Sequence, residues 1–231
     1  MLQVNFENIN QLSFLSNEAY KSLRTNIQFC GSEIKVICIT SCLPNEGKSN
    51  VSFNLAMSMA ESGKEVIFID ADLRRSVIVG RYKPDREVLG LTHYLSGQNS
   101  LEDVLYKSNI DNLDMIFTGP IPPNPAELLG SDNFIDLIKM FRNIYDYIII
   151  DTPPIGSVID SAIVAEQCDG IVMVIEANAI SYKFAQRTIK QLEKAHSRIL
   201  GAVLNKYESN KKAYGYKGKK YKRYYRYYES Y

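Results

Sequence analysis

Six short apolar runs punctuate this chain: IKVICIT (34–40), EVIFID (65–70), LDMIF (113–117), YDYIIID (145–151), GIVMVIE (170–176) and ILGAVLN (199–205). Apart from LDMIF they are near-continuous rather than alternating, the pattern of strands covered on both faces in a parallel sheet. Between them, Val51, Leu55 and Met59 mark the inner face of one helix, and Ala185, Ile189 and Leu192 that of another. Strand and helix repeating in this way predict an α/β fold, a doubly wound and mostly parallel sheet with helices on both faces. A chain of 231 residues is long enough to bury such a core in one domain. Residues 1–15 read as an irregular arm, and SNEAYKSLRTNIQF (16–29) reads as a helix capped by Ser16 or Asn17. From about Glu208 the aliphatic pattern stops. We therefore expect a folded domain over 1–210 and a mobile tail over 211–231.

Three of the strand ends carry chemistry. TSCLPNEGKSN (40–50) follows the first run and leads into a helix, and its EGKS matches the end of a phosphate-binding P-loop. Gly47 lets the backbone approach a phosphate. The amides of Asn45, Glu46, Gly47, Lys48 and Ser49, continued by Asn50 at the helix start, supply donors and a positive dipole. Lys48 brings a full charge to the β/γ oxygens, and the Ser49 hydroxyl is a Mg²⁺ ligand type. Cys42 stands where the general motif has its first glycine, leaving Pro44-Asn45 to form the turn. VIFIDADLR (66–74) ends a buried run with Asp70 and Asp72, which face the same way if the extended geometry persists. Clustered buried carboxylates are costly unless a cation holds them. IIIDTPP (148–154) places Asp151 after three isoleucines, the usual form of a carboxylate that holds a Mg²⁺ shell or orients an attacking group. Asp160 reads as a helix cap and Asp169 as a turn residue. Asn205 reads equally as a reader of a purine edge and as a plain turn residue.

The net charge of +1 hides an asymmetry. Residues 211–231 carry eight Lys/Arg and one acid, net +7, which leaves the rest of the chain at −6. Eight of the sixteen tyrosines fall in the same segment: Tyr214, Tyr216, Tyr221, Tyr224, Tyr225, Tyr227, Tyr228 and Tyr231. Such a tail suits an acidic surface, a polyanion or a neighbouring copy. Cys30, Cys38, Cys42 and Cys168 have neither metal-site nor disulfide-framework spacing, which points to a reducing compartment. No run approaches the ~20 apolar residues of a membrane span and no leader is apparent, so a cytoplasmic location is expected.

Together EGKS (46–49), IFIDADLR (67–74) and IIIDTPP (148–154) resemble the Walker A end, Walker A′ and Walker B of the bacterial P-loop tyrosine kinases that regulate capsule and exopolysaccharide export. The resemblance continues in NPAELLGS (124–131), EAYKSLRTNI (18–27) and the tyrosine cluster, and covers almost the whole chain. It implies a P-loop fold of the partition- and septum-ATPase group. It also implies ATP/ADP and Mg²⁺ as ligands, with catalytic roles for Lys48, Asp70, Asp72 and Asp151, metal contacts from Ser49, Asp70 and Asp151, and the tail tyrosines as phosphoacceptors served between subunits. A homo-oligomeric ring, an octamer in the family, would form through Glu18, Lys21 and Arg24, where the family has E-x-x-R-x-x-R and this chain has lysine second. The separate-chain type further implies a membrane adaptor whose cytoplasmic tail completes the site and recruits the kinase to the inner face of the membrane. A cognate tyrosine phosphatase and sugar-metabolism enzymes as outside targets complete the implied partners. Two rival readings stand beside it: a partition-type ATPase switch, and a non-catalytic module whose basic aromatic tail grips nucleic acid or anionic membrane.

Overall fold

The computed structural model describes residues 2–7, 9, 12–194 and 198–207. The first half of the chain runs β1 (Leu2–Val4), α1 (Phe14–Gln28), β2 (Val36–Ser41), α2 (Lys48–Ala60), β3 (Val66–Asp70), α3 (Ile78–Tyr82), α4 (Leu91–Leu95) and α5 (Leu101–Val104). The second half runs β4 (Tyr106–Ser108), β5 (Leu113–Ile116), α6 (Pro125–Leu129), α7 (Asp132–Phe141), β6 (Tyr147–Asp151), α8 (Asp160–Ala165), β7 (Gly170–Glu176), α9 (Tyr182–Lys194) and β8 (Ile199–Asn205).

The eight strands form one sheet in the order β1-β4-β5-β3-β6-β2-β7-β8. Every pairing is parallel except β4 with β5. Alternation along each central strand feeds two cores. Cys38, Ile67, Ile150 and Met173 face Phe134, Leu137, Phe141 and Leu192 on one side. Ile37, Phe68, Ile149 and Val172 face Ile27, Val51, Phe53, Leu55 and Met59 on the other. Strands buried on both faces account for the near-continuous apolar runs, and the doubly wound expectation holds.

Three expectations need correction. The N-terminal stretch is not an irregular arm. Leu2–Val4 pairs with β4, and Phe6 is buried edge-to-face against Phe53 and Phe117. The first helix begins earlier than expected because Ser13, not Ser16 or Asn17, is its cap, its hydroxyl accepting the Ser16 amide at 3.2 Å. The run 199–205 is not covered on both faces. As β8 it forms a sheet edge, with Gly201, Ala202 and Leu204 exposed. The tail tyrosines and the segment 211–231 lie outside the described residues.

Candidate nucleotide and phosphoryl-transfer site

The C-terminal ends of β2, β3 and β6 converge, because these strands are neighbours and parallel. Register then fixes the chemistry: Asp70 closes β3 directly opposite Asp151 at the end of β6. From β2 the chain turns at Pro44-Asn45 into α2, with Asn45 (φ 67°) and Gly47 (φ 90°) in the left-handed region. A side chain at Gly47 would start 2.2 Å from Asn205 Nδ2, so only glycine fits. Cys42 is buried and does not adopt positive φ, which explains why the motif's usual first glycine is dispensable here. Gly156 packs closely on this stretch, since a Cβ there would fall 2.2 Å from the Cys42 carbonyl oxygen.

Side chains from distant strands hold the loop. The buried Glu46 carboxylate accepts the amides of Leu43 (2.6 Å) and Glu176 (3.2 Å). Asn205 donates its amide to the Glu46 carbonyl at 2.8 Å. Lys206 donates to the Asn45 carbonyl at 2.7 Å and pairs with Glu176 at 2.8 Å. Glu46 therefore offers a ligand only its backbone. Asn205 sits at the cleft with its NH₂ committed to the loop, a role that neither expectation for it contained.

Lys48 is the hub. Its ammonium lies 2.8 Å from Asp72 Oδ2, 3.5 Å from Asp151 Oδ2 and 3.2 Å from the Ser49 hydroxyl. Burial works against its charge, but Asp151 and Asp72 outweigh burial and raise its proton affinity. Asp70 is fully buried, and burial first and the Asp151 charge second push its carboxyl up to about 8. Ser76 donates its hydroxyl to Asp70 and accepts the Ile78 amide at 3.2 Å. Asp72 lies beyond the end of β3, yet still faces Lys48, and its second oxygen accepts the Arg75 amide at 3.0 Å. Asp151 is also raised by burial, with Lys48 opposing. Both its oxygens are buried without a hydrogen-bond partner.

That orphaned carboxylate beside a serine hydroxyl fits a Mg²⁺ ion, which takes one or two carboxylates and fills its octahedron with water and phosphate. Among the described residues no group of three or more His, Cys, Asp or Glu could hold a metal ion by itself. Arg74 forks onto Asp160 at 2.7 and 3.0 Å. Asp160 is thus not a cap: Ile159 holds that position, and the Asp160 carboxylate is buried as an arginine acceptor. Asp169 behaves as expected of a turn residue, accepting the amides of Lys35 and Val36, each at 2.8 Å.

Above this floor opens a cleft of about 600 Å³. Asn45, Gly47, Lys48, Ser49, Asn50 and Asp72 line it as the motifs foretold, and so do Arg75, Arg81 and Lys206, which they did not. The second arginine of DLRR was a visible signal; Arg81 and Lys206 reach the cleft through tertiary structure alone. The proposed oligomerisation residues lie elsewhere, on α1. Glu18 and Lys21 pair within the helix at 2.7 Å, and Arg24 is bonded to the Ser58 carbonyl of α2. No helix among the described residues is long and apolar enough to cross a membrane.

Comparison with known proteins agrees with this geometry. A family model described as an AAA domain matches residues 34–205. The tyrosine-protein kinase CpsD of Streptococcus agalactiae is 44% identical over 200 residues, spanning 87% of each chain. The tyrosine-protein kinase YwqD of Bacillus subtilis is 40% identical over 209 residues, 89% of this chain and 88% of that one. Among solved structures, the kinase domain of the Escherichia coli tyrosine kinase ETK superimposes with a TM-score of 0.79 at 33% identity, covering 91% of this chain and 87% of that one.

Proposed function

The chain belongs to the bacterial P-loop tyrosine-protein kinases, and on that premise we propose that it phosphorylates the tyrosines of its own tail between subunits, as a regulator of capsular or exopolysaccharide synthesis. The observation that carries this reading is the convergence of four side chains at the strand ends, with Lys48 and Asp72 lining the cleft, Asp70 and Asp151 buried beneath it, and its rim formed where the chain leaves β8. Tyr214 follows Asn205 by nine residues, at most about 30 Å of extended chain. Acceptors therefore start close to the phosphates.

In the reaction a tail phenol oxygen attacks the γ-phosphorus of ATP. Lys48 exchanges its carboxylate partners for the β/γ oxygens, as its place between Asp72 and Asp151 allows. Asp70, whose proton affinity burial raises, orients the phenol or takes its proton. The transition state is loose, so alignment matters more than base strength. Ser49 and Asp151, with Asp70 alongside, would hold Mg²⁺, which when bound neutralises charge on the phosphate oxygens. Arg74 and Asp160 keep the loop after β3 fixed against α8.

The capsule role is supported by the family. From the same source we infer a homo-oligomer of unphosphorylated chains, a membrane adaptor whose cytoplasmic tail completes the site, a cognate phosphatase and outside targets in sugar metabolism. The test is incubation with labelled ATP and Mg²⁺, with and without the cytoplasmic tail of an adaptor. Label retained as phosphotyrosine on residues 214–231 is expected. Release as free phosphate, with none on tyrosine, would make the chain a partition-type ATPase instead.

A further inference from the structure

Five cationic side chains line the cleft, and three of them are already matched: Lys48 by Asp72 and Asp151, Arg74 by Asp160, and Lys206 by Glu176. Arg75 and Arg81 are exposed, line the cleft and form no ion pair among the described residues. Among the described residues the only acid lining the cleft is Asp72, whose oxygens are taken by Lys48 and by the Arg75 amide. Two uncompensated guanidinium groups therefore face the space beside the phosphate loop.

Their position is defined by the sheet. The P-loop follows β2 and the arginine loop follows β3, with β6 between them. Strands lie about 4.8 Å apart, so the two walls stand on the order of 10 Å from each other at the strand ends. A triphosphate on the P-loop wall leaves the arginine wall for whatever lies beyond it. The wall is also held in place: Asp72 fixes the Arg75 amide, and Ser76 ties the start of α3, which carries Arg81, to Asp70. Docking of the acceptor cannot be the wall's purpose, because the acceptor tail is itself net +7 and would be repelled. What suits two free guanidinium forks is a phosphoryl group, which they can grip through paired oxygens.

We propose that Arg75 and Arg81 form the acceptor-side clamp of the reaction, gripping the transferring phosphoryl group and then the phosphotyrosine product. This deepens the kinase reading and rests on it. As the tyrosine Oη–P bond forms, the bond from the γ-phosphorus to the β,γ-bridging oxygen breaks. Its electron pair leaves on ADP, and the phenol proton is released to solvent. The arginines act on the phosphoryl oxygens in flight, and make a cationic wall compatible with a cationic substrate only while phosphate lies between them.

The test uses the full chain with the adaptor's cytoplasmic tail, Mg²⁺ and labelled ATP, comparing wild type with Arg75→Ala, Arg81→Ala, the double variant and both lysine variants. Alanine at either position should lower kcat for tail labelling by about 10²-fold or more, while KM for ATP and affinity for ADP stay within about threefold. Lysine, which keeps charge without the fork, should recover only part of the rate. Both side chains are exposed, so melting temperatures should match wild type. A kcat within threefold of wild type in the double variant would overturn the clamp, and so would a loss of ADP affinity large enough to account for the whole effect. If the wild-type chain forms no phosphotyrosine, the kinase reading falls and the clamp with it. Labelling by wild type and variants alike removes the clamp alone.

Discussion

Asp151 is fully buried, directly opposite another buried carboxylate, and among the described residues its ion-pair partner is an ammonium 3.5 Å away. A residue so placed costs stability in the absence of its ligand, and the fold retains it for function. Lys48 is the opposite case, since it neutralises Asp72 and Asp151 while no nucleotide is bound. The two residues should therefore separate in mutation. Lys48→Met should abolish tail labelling and also lower the melting temperature, because breaking a buried pair from one side costs up to about 3–5 kcal/mol. A lysine acting on phosphate alone would leave stability untouched. Asp151→Asn should abolish labelling as well, yet in metal-free buffer its melting temperature should equal or exceed that of wild type. Labelling and thermal melts of both variants check this. Wild-type labelling by Lys48→Met would mean that the site is misassigned, and a comparable loss of stability in Asp151→Asn would make Asp151 structural. Lys48, Asp70 and Asp151 were legible because a strand end followed by a loop imposes local spacing. The roles of Glu46, Asn205 and Asp160 were not, since their partners lie as far as 159 residues away in the chain.

At the scale of elements, the central strands were legible because burial on both faces leaves an unbroken apolar run. β1 and β4 were not, being three residues each and stabilised by one another and by β5 rather than by local pattern. β8 misled in the other direction: its apolar string is an exposed edge, and its worth lies in its last residue and the one beyond. Asn205 and Lys206 hold two P-loop carbonyls, so the scaffold extends at least through Lys206. Deleting 211–231 should eliminate most self-labelling and leave ADP binding intact, whereas deleting from residue 199 onward should lose ADP binding as the P-loop loses its supports. Calorimetric titration with ADP distinguishes the two truncations. If the shorter deletion also fails to bind, the tail is structural. Mixed with full-length Lys48→Met, the 1–210 chain should label the mutant's tail in trans. No transfer would mean that each tail serves its own subunit.

For the whole molecule, the proposed oligomer would be governed by charge. An unmodified tail of +7 is attracted to a body of −6, over a range that physiological salt limits to about 8–10 Å. Contact with a neighbouring copy is therefore favoured at short range, where α1 and the cleft rim would meet it. Within one chain Glu18 already has Lys21 and Arg24 already has Ser58, so an interface through α1 must exchange these bonds rather than satisfy vacant groups. The electrostatic share of the association then falls largely to the tail. Each phosphate adds about −1.5 to −2 at neutral pH, so four bring the tail to about +1 to −1 and eight to about −5 to −9. Attraction becomes repulsion, and the γ-phosphate of the next ATP displaces the phosphotyrosine held beside ADP. Unphosphorylated chains should form an oligomer that dissociates towards monomer as labelling proceeds, and phosphatase treatment should restore it. Raised salt should mimic phosphorylation in part, since it weakens the same attraction. Light scattering on phosphorylated and phosphatase-treated protein, at matched concentration and ionic strength, measures this directly. Equal masses in the two states would remove the charge switch and leave the kinase assignment standing.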